Sequence, residues 1–289
     1  MKRLIFLLIA VLLLGSLAGC GSTTEYEIAA TTLPVYDFTS ALCSGTGITV
    51  GRLITEQVSC LHEYTLQVRQ MRMLEKADIV VMSGAGLEDF LADALSDSNC
   101  LIDASAGVHL HTAGHSHDHS NHKHEQDAHI WLSAENARIM VQNICAGLTE
   151  CYPQFAHIFS ENQTSLLSRL DALECYGKET LSSLSCRDMI TFHDGFSYFA
   201  ESFGLNILHS VEEESGSEAS AAELKELIGC IRDHRLPAIF IEASGSDSAA
   251  KIISTETGTA IFSLDMGLSD RGYFEMMYHN INTVKEALG

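Results

Sequence analysis

From residue 134 to residue 185 nothing in the sequence reads as a strand. Residues 134–148 carry apolar side chains at helical spacing. Pro153 then opens a longer run in which Phe155, Ile158, Phe159, Leu166, Leu167, Leu170 and Leu173 recur at roughly helical spacing. On both sides of this stretch the pattern is different, because short apolar runs alternate with amphipathic ones. Upstream, residues 26–32, 48–54, 78–82 and 101–102 predict strands. Helices are predicted over 34–43 and 66–76, and a further one, holding Leu87, Phe90 and Leu91, follows Ser83-Gly84-Ala85-Gly86. Downstream, predicted strands at 188–192, 205–211, 237–241 and 260–264 alternate with helices at 196–203, 219–233, 246–257 and 273–288. Strand–helix alternation predicts parallel sheets covered on both faces. The expectation is therefore an α/β fold: two α/β lobes with parallel sheets, joined by a long helix that acts as a spine.

The first residues predict a targeting segment rather than part of either lobe. Lys2 and Arg3 precede an apolar run over 4–14, too short for a stable membrane span, and small residues follow. The run ends in Leu17-Ala18-Gly19-Cys20, which resembles a bacterial lipobox and implies cleavage before Cys20 and a lipid on its sulfur. The expected organisation is a signal peptide over 1–19, an N-terminal lobe over 20–152, a linking helix over 153–185 and a C-terminal lobe over 186–289. The mature chain would sit on the extracytoplasmic face of the cell membrane, held by the lipid on Cys20. A net charge of −21 argues against nucleic acid as a direct partner and suits a protein that attracts cations.

Half of the 14 histidines fall between residues 109 and 124: His109, His111, His115, His117, His119, His122 and His124. That tract has almost no large apolar side chain, so it predicts an exposed loop. Neutral imidazole is a good ligand for zinc, copper and nickel, and a short His-rich tract is a metal-binding composition. These seven residues are the candidate auxiliary metal ligands. Eight cysteines lie beyond Cys20 (Cys43, Cys60, Cys100, Cys145, Cys151, Cys175, Cys186 and Cys230), and no two have C-x-x-C spacing. A zinc ribbon is disfavoured. Eight thiols leave disulfide pairing open, while the positions of Cys145 and Cys230 on predicted helices suit free, buried cysteine acting as a small hydrophobe.

Four further residues lie where predicted strands give way to loops, the place where open α/β folds put ligands. His62 follows the second strand, His129 follows the His-rich loop, His193 follows the strand at 188–192, and Asp265 follows the strand at 260–264. Three imidazoles and a carboxylate form a suitable zinc set.

Several blocks carry a resemblance to a known family. They are His62-Glu63-Tyr64-Thr65-Leu66 with Ala77-Asp78-Ile79-Val80-Val81; Asp127-Ala128-His129-Ile130-Trp131-Leu132; Thr191-Phe192-His193-Asp194-Gly195-Phe196-Ser197-Tyr198-Phe199-Ala200; and Ala238-Ile239-Phe240-Ile241-Glu242 followed by Glu256-Thr257-Gly258 and Leu264-Asp265. Together they resemble the zinc- and manganese-specific solute-binding proteins of bacterial ABC importers. The resemblance implies two lobes joined by one rigid helix, with one metal in the cleft between them. Carried over by position, His62 and His129 would come from the N-terminal lobe, and His193 and Asp265 from the C-terminal lobe. Manganese-binding members tend to carry glutamate at the third position, so His193 points to zinc.

There are departures. Cys60-Leu61 stands where relatives usually have an acidic residue and proline, and Met266-Gly267 follows Asp265 in place of Pro-Leu-Gly. Water or Glu63 could replace Asp265 as fourth ligand, and the Cys60 thiolate could reach the metal. The function implied is capture of Zn(II) and delivery to an ABC permease by a monomer, with no catalysis. Two rivals stand beside it. One is a surface zinc buffer or adhesin. The other is a zinc hydrolase, which three histidines and an open position would allow. His62-Glu63 is not continued to H-E-x-x-H, which weighs against the hydrolase.

Overall fold

The computed structural model describes residues 25–56, 64–95, 100–112, 126–211, 220–243, 246–267 and 271–289. The signal segment with Cys20, the His62 loop and residues 113–125 of the His-rich tract lie outside them. The first sheet consists of β1 (Ile28–Ala30), β2 (Val50–Arg52), β3 (Ile79–Met82) and β4 (Cys100–Asp103), all parallel, in the order β2-β1-β3-β4. The second consists of β5 (Asp188–Thr191), β6 (Asn206–Ser210), β7 (Ala238–Glu242) and β8 (Ala260–Leu264), again parallel, in the order β6-β5-β7-β8. Both sheets reverse strand order beside their first strand, so each has a switch point between its two central strands. The central strand β1 is buried at every position, as expected for a sheet covered on both faces.

Local sequence sets the helix starts. Pro34 sits in the first turn of α1 (Leu33–Leu42), where its missing N–H costs nothing. Gln67 and Gln70 form reciprocal caps at the start of α2 (Val68–Lys76). The strand-free stretch forms α3 (Ala134–Cys151), a 3-10 turn at Pro153–Phe155 and α4 (Ala156–Thr180), a 25-residue helix linking the two lobes. Arg138 of α3 ties the two together, pairing with Asp171 at 2.8 Å and with Glu174. The second lobe adds α5 (Ser197–Phe203), α6 (Ala221–His234), α7 (Ser248–Thr257) and α8 (Tyr273–Leu288). At Gly177 of α4 an added Cβ would lie 2.3 Å from the Phe203 ring, so glycine permits the close approach of α4 to α5.

The helix expected around Leu87, Phe90 and Leu91 is instead a single 3-10 turn at Asp89–Leu91. The cause is local. Gly84, Ala85 and Gly86 all have positive φ, at 82°, 56° and 82°. The Glu88 side chain then folds back and accepts from the backbone N–H groups of Ser83 at 2.7 Å and Gly84 at 3.0 Å. Those donors are satisfied by a side chain, and the chain does not propagate a helix.

Among the described residues the apolar interior falls into three groups. The largest contains Ile28 and Phe38 of the first lobe, Ile144, Phe159 and Leu170 of the helical stretch, and Phe199, Met277 and Ile281 of the second. It runs through both lobes and the helices between them. Smaller groups cover the outer faces, around Leu53, Leu74 and Val80 on one sheet and Leu227, Ile239 and Ile253 on the other. The lobes therefore share one core, which fixes their strand ends relative to one another. Among the described residues no two sulfurs lie at bonding distance; Cys43 and Cys145 are buried and Cys230 is half-buried. Among the described residues no helix is long and apolar enough to cross a membrane.

Candidate metal centre

His129 lies just before a 3-10 turn at Ile130–Leu132, three residues past an isolated antiparallel bridge between Thr112 and Gln126. Its backbone N–H donates to Asp127 Oδ1 at 2.9 Å, and its ring Nδ1 meets the same oxygen at 2.8 Å. A carboxylate against Nδ1 places the ring proton there and leaves Nε2 as the lone-pair nitrogen that can face an ion. Burial works to raise the Asp127 carboxyl, but the hydrogen bond and charge of His129, with a hydrogen bond from Ser197, outweigh it and keep the group below its ordinary range. Ser197 Oγ donates to Asp127 Oδ2 at 2.6 Å. Because Ser197 opens α5, the second lobe takes part in orienting a histidine of the first.

His193 lies two residues beyond β5, with its ring centroid 5.3 Å from that of His129 and the planes at 89°. Its Nδ1 is 3.7 Å from Oε2 of Glu242, the buried last residue of β7. Since β5 and β7 flank the switch point, both side chains stand where the topology opens a crevice. Gly195 allows the lobes to meet there. A Cβ at Gly195 would lie 2.3 Å from Met266 Cε and 2.7 Å from His129 Nδ1.

Asp265 follows β8 directly and is almost wholly buried. Its backbone is clamped by Asn280, which accepts from Asp265 N–H at 2.8 Å and donates to Asp265 carbonyl oxygen at 2.7 Å. Its Oδ1 accepts from Gly267 N–H at 2.9 Å, and Oδ2 lies 3.6 Å from the Arg271 guanidinium. The next carbonyl, that of Met266, accepts from Trp131 Nε1–H at 2.9 Å. The Asp265 strand end is thus bonded to the His129 segment across the lobes.

Of the four residues expected as cleft ligands, the structure brings His129 and His193 together and sets Asp265 at the neighbouring strand end. His62, with Cys60 and Glu63, lies outside the described residues. Among the described residues no group of three or more His, Cys, Asp and Glu side chains is positioned to hold a metal ion. Of the seven loop histidines, only His109 and His111 are described. His111 packs on the second lobe: its ring stacks on Tyr198 at 4.1 Å, Nδ1 meets Ser197 Oγ at 2.9 Å, and Nε2 is 3.0 Å from Glu201 Oε2. Tyr198 hydroxyl donates to Asp127 carbonyl oxygen at 2.8 Å and accepts from His111 N–H at 3.0 Å.

Asp127, Ser197, Gly195 and Glu242 carry roles that motif reading left unassigned. Asp127 had a local signal, a carboxylate two residues before a candidate ligand. The other three act across the fold and leave no mark in spacing. The arrangement offers two adjacent imidazoles, one with its tautomer fixed by a carboxylate. That is a donor set for a borderline metal cation.

The geometry can be set beside known proteins. The profile of "ZnuA: Zinc-uptake complex component A periplasmic" matches residues 28–287. A Treponema pallidum (strain Nichols) protein provisionally described as metal-binding is 28% identical over 240 residues, covering 78% of this chain and 76% of its own length. The zinc-binding lipoprotein AdcA of Streptococcus pneumoniae serotype 4 is 28% identical over 272 residues, covering 89% of this chain. The chain spans only 54% of that relative's length. A crystal structure of ZnuA superposes with a TM-score of 0.80 at 24% identity, covering 92% of this chain and 100% of the other, which supports the two-lobed fold. The matched profile describes a transport component and not an enzyme. With its match extending over both sheets and the helix between them, the chain belongs to the ZnuA family of periplasmic zinc-uptake components.

Proposed function

We propose that this chain is a lipid-anchored extracytoplasmic protein that captures Zn(II) and passes it to the permease of an ABC importer. The observation that carries the reading is the edge-to-face meeting of His129 and His193 from opposite lobes, with Asp127 presetting the His129 tautomer. In this reading His62 supplies a third imidazole and Asp265 the fourth ligand. His109, His115, His117, His119, His122 and His124 act as weaker, auxiliary sites. His111, next to the Thr112–Gln126 bridge, packs on Tyr198 and Ser197 of α5. The names of the relatives, which include a zinc-binding lipoprotein, support the cargo and the anchor at Cys20.

Nitrogen donors favour zinc over the harder manganese ion. In competitive titration of the purified protein, Zn(II) should displace Mn(II) with at least a hundredfold preference at one tight site. Comparable affinities for the two ions would overturn the zinc assignment.

A further inference from the structure

We propose that Cys100 and Cys151 form a disulfide that closes the segment bearing His129 and the His-rich loop into a covalent ring. The two Sγ atoms lie 2.9 Å apart, inside the contact distance of two unbonded sulfurs. Closing them to a bond of about 2.05 Å requires a shift of under 1 Å shared between two side chains. Cys100 is exposed and Cys151 half-buried, so an oxidant can reach the pair.

The placement gives the bond a purpose. Cys100 opens β4, which among the described strands lies at the edge of the first sheet and is paired to β3 alone. Cys151 is the last residue of α3. Between them run β4, the loop, His129 and the whole of α3. Three of the four β4 residues are exposed, so this edge has little burial to hold it. A link across a span of 51 residues would restrict the unfolded chain and keep β4 against the end of α3. Among the described residues no other pair of sulfurs lies this close.

The chemistry is thiol–disulfide exchange with an external disulfide, either a small molecule or a protein. The exposed Cys100, as thiolate, attacks one sulfur of the oxidant and expels the other as a thiolate. Cys151 then displaces the remaining half from the mixed disulfide. Two thiols of the chain become one disulfide, the oxidant's disulfide becomes two thiols, and the protons end on those thiols. Burial, with the neighbouring Cys100, pushes the Cys151 thiol up to about 12, consistent with its acting second. Occurrence in the cell rests on the extracytoplasmic reading above, because exported proteins meet oxidising conditions.

The test uses the full chain equilibrated in a mixture of oxidised and reduced glutathione. Free thiols are then alkylated, and the digest is analysed by mass spectrometry. The expected product is the Cys100 peptide linked to the Cys151 peptide, absent in C100S and in C151S. Oxidised wild type should also melt about 5–10 °C above either variant, and that gap should vanish when wild type is reduced. Recovery of both cysteines fully alkylated, or linkage with no melting difference, would overturn the proposal. Acylation of Cys20 is scored separately. An acylated protein lacking the link counts against the disulfide alone, and a linked but unacylated one against the anchor alone.

Discussion

His129 is oriented before any ion arrives. The Asp127 carboxylate holds both its backbone N–H and its ring, and Ser197 from the other lobe holds that carboxylate. A partner of this kind fixes the tautomer and raises ligand basicity, and its loss typically costs 10–100-fold in metal affinity. Asp127→Ala should therefore weaken zinc binding by about that factor, measured by competition with a chromophoric chelator. An affinity within twofold of wild type would show that His129 does not depend on this contact. A second residue makes a prediction about stability. Burial pushes the Glu88 carboxyl from an ordinary 4.5 up to about 7, although Thr31 hydroxyl and the Ser83 and Gly84 N–H groups bond to it and pull the other way. The folded state thus holds this proton more tightly than the unfolded chain does. The resulting stability is fully present below about pH 4.5 and is lost as pH rises through about 7. Relative to E88Q, which cannot ionise there, wild type should lose on the order of 3 kcal/mol between those limits. Denaturant unfolding of both proteins across the range checks this; a difference independent of pH would place Glu88 in the ordinary carboxylate range.

At the scale of elements, the His-rich loop has a stem that its composition did not disclose. Thr112 bridges Gln126, Asp127 N–H donates to His111 carbonyl oxygen at 2.9 Å, and His111 itself packs on α5. The stem supports the Asp127–His129 pair, whereas the sequence over 113–124 offers histidines with no large apolar side chain beside them, a composition suited to weaker, auxiliary metal sites. Deleting 113–124 should leave one tight zinc site and remove the weaker ones. Extending the deletion to 109–124 should also lower the melting temperature, because the His111 contacts go with it. Calorimetric titration and melting of the two variants check this, and loss of the tight site in the shorter deletion would contradict it. This division also marks what was legible in sequence. Strand–helix alternation reports which face of an element is apolar, and it located the eight strands among the described residues and the long helix. Strand ends mark crevices, so His193 and Asp265 could be singled out, whereas His129 follows the His-rich tract and precedes a 3-10 turn. The Ser197–Asp127 bond spans 70 residues and the Trp131–Met266 bond 135, and no local period encodes partners at such distances. The helix expected around Leu87, Phe90 and Leu91 fails for the opposite reason. Apolar spacing suggested helix there, while left-handed backbone and the Glu88 side chain decided otherwise.

At the scale of the whole molecule, the lobes share a core, and hydrogen bonds from Trp131, Tyr198 and Tyr273 cross between them. A cation held between His129 and His193 would bind a loop segment and a strand end that folding has already brought together, so little of its binding energy is spent on assembling them. In the proposed function one zinc ion sits there and not only on the His-rich loop. Diffraction from zinc-loaded crystals, recorded on both sides of the zinc absorption edge, tests it directly. One fully occupied anomalous peak is expected, about 2.0–2.1 Å from His129 Nε2 and from a ring nitrogen of His193. A full-occupancy peak elsewhere, with both of these imidazoles unliganded, would contradict it.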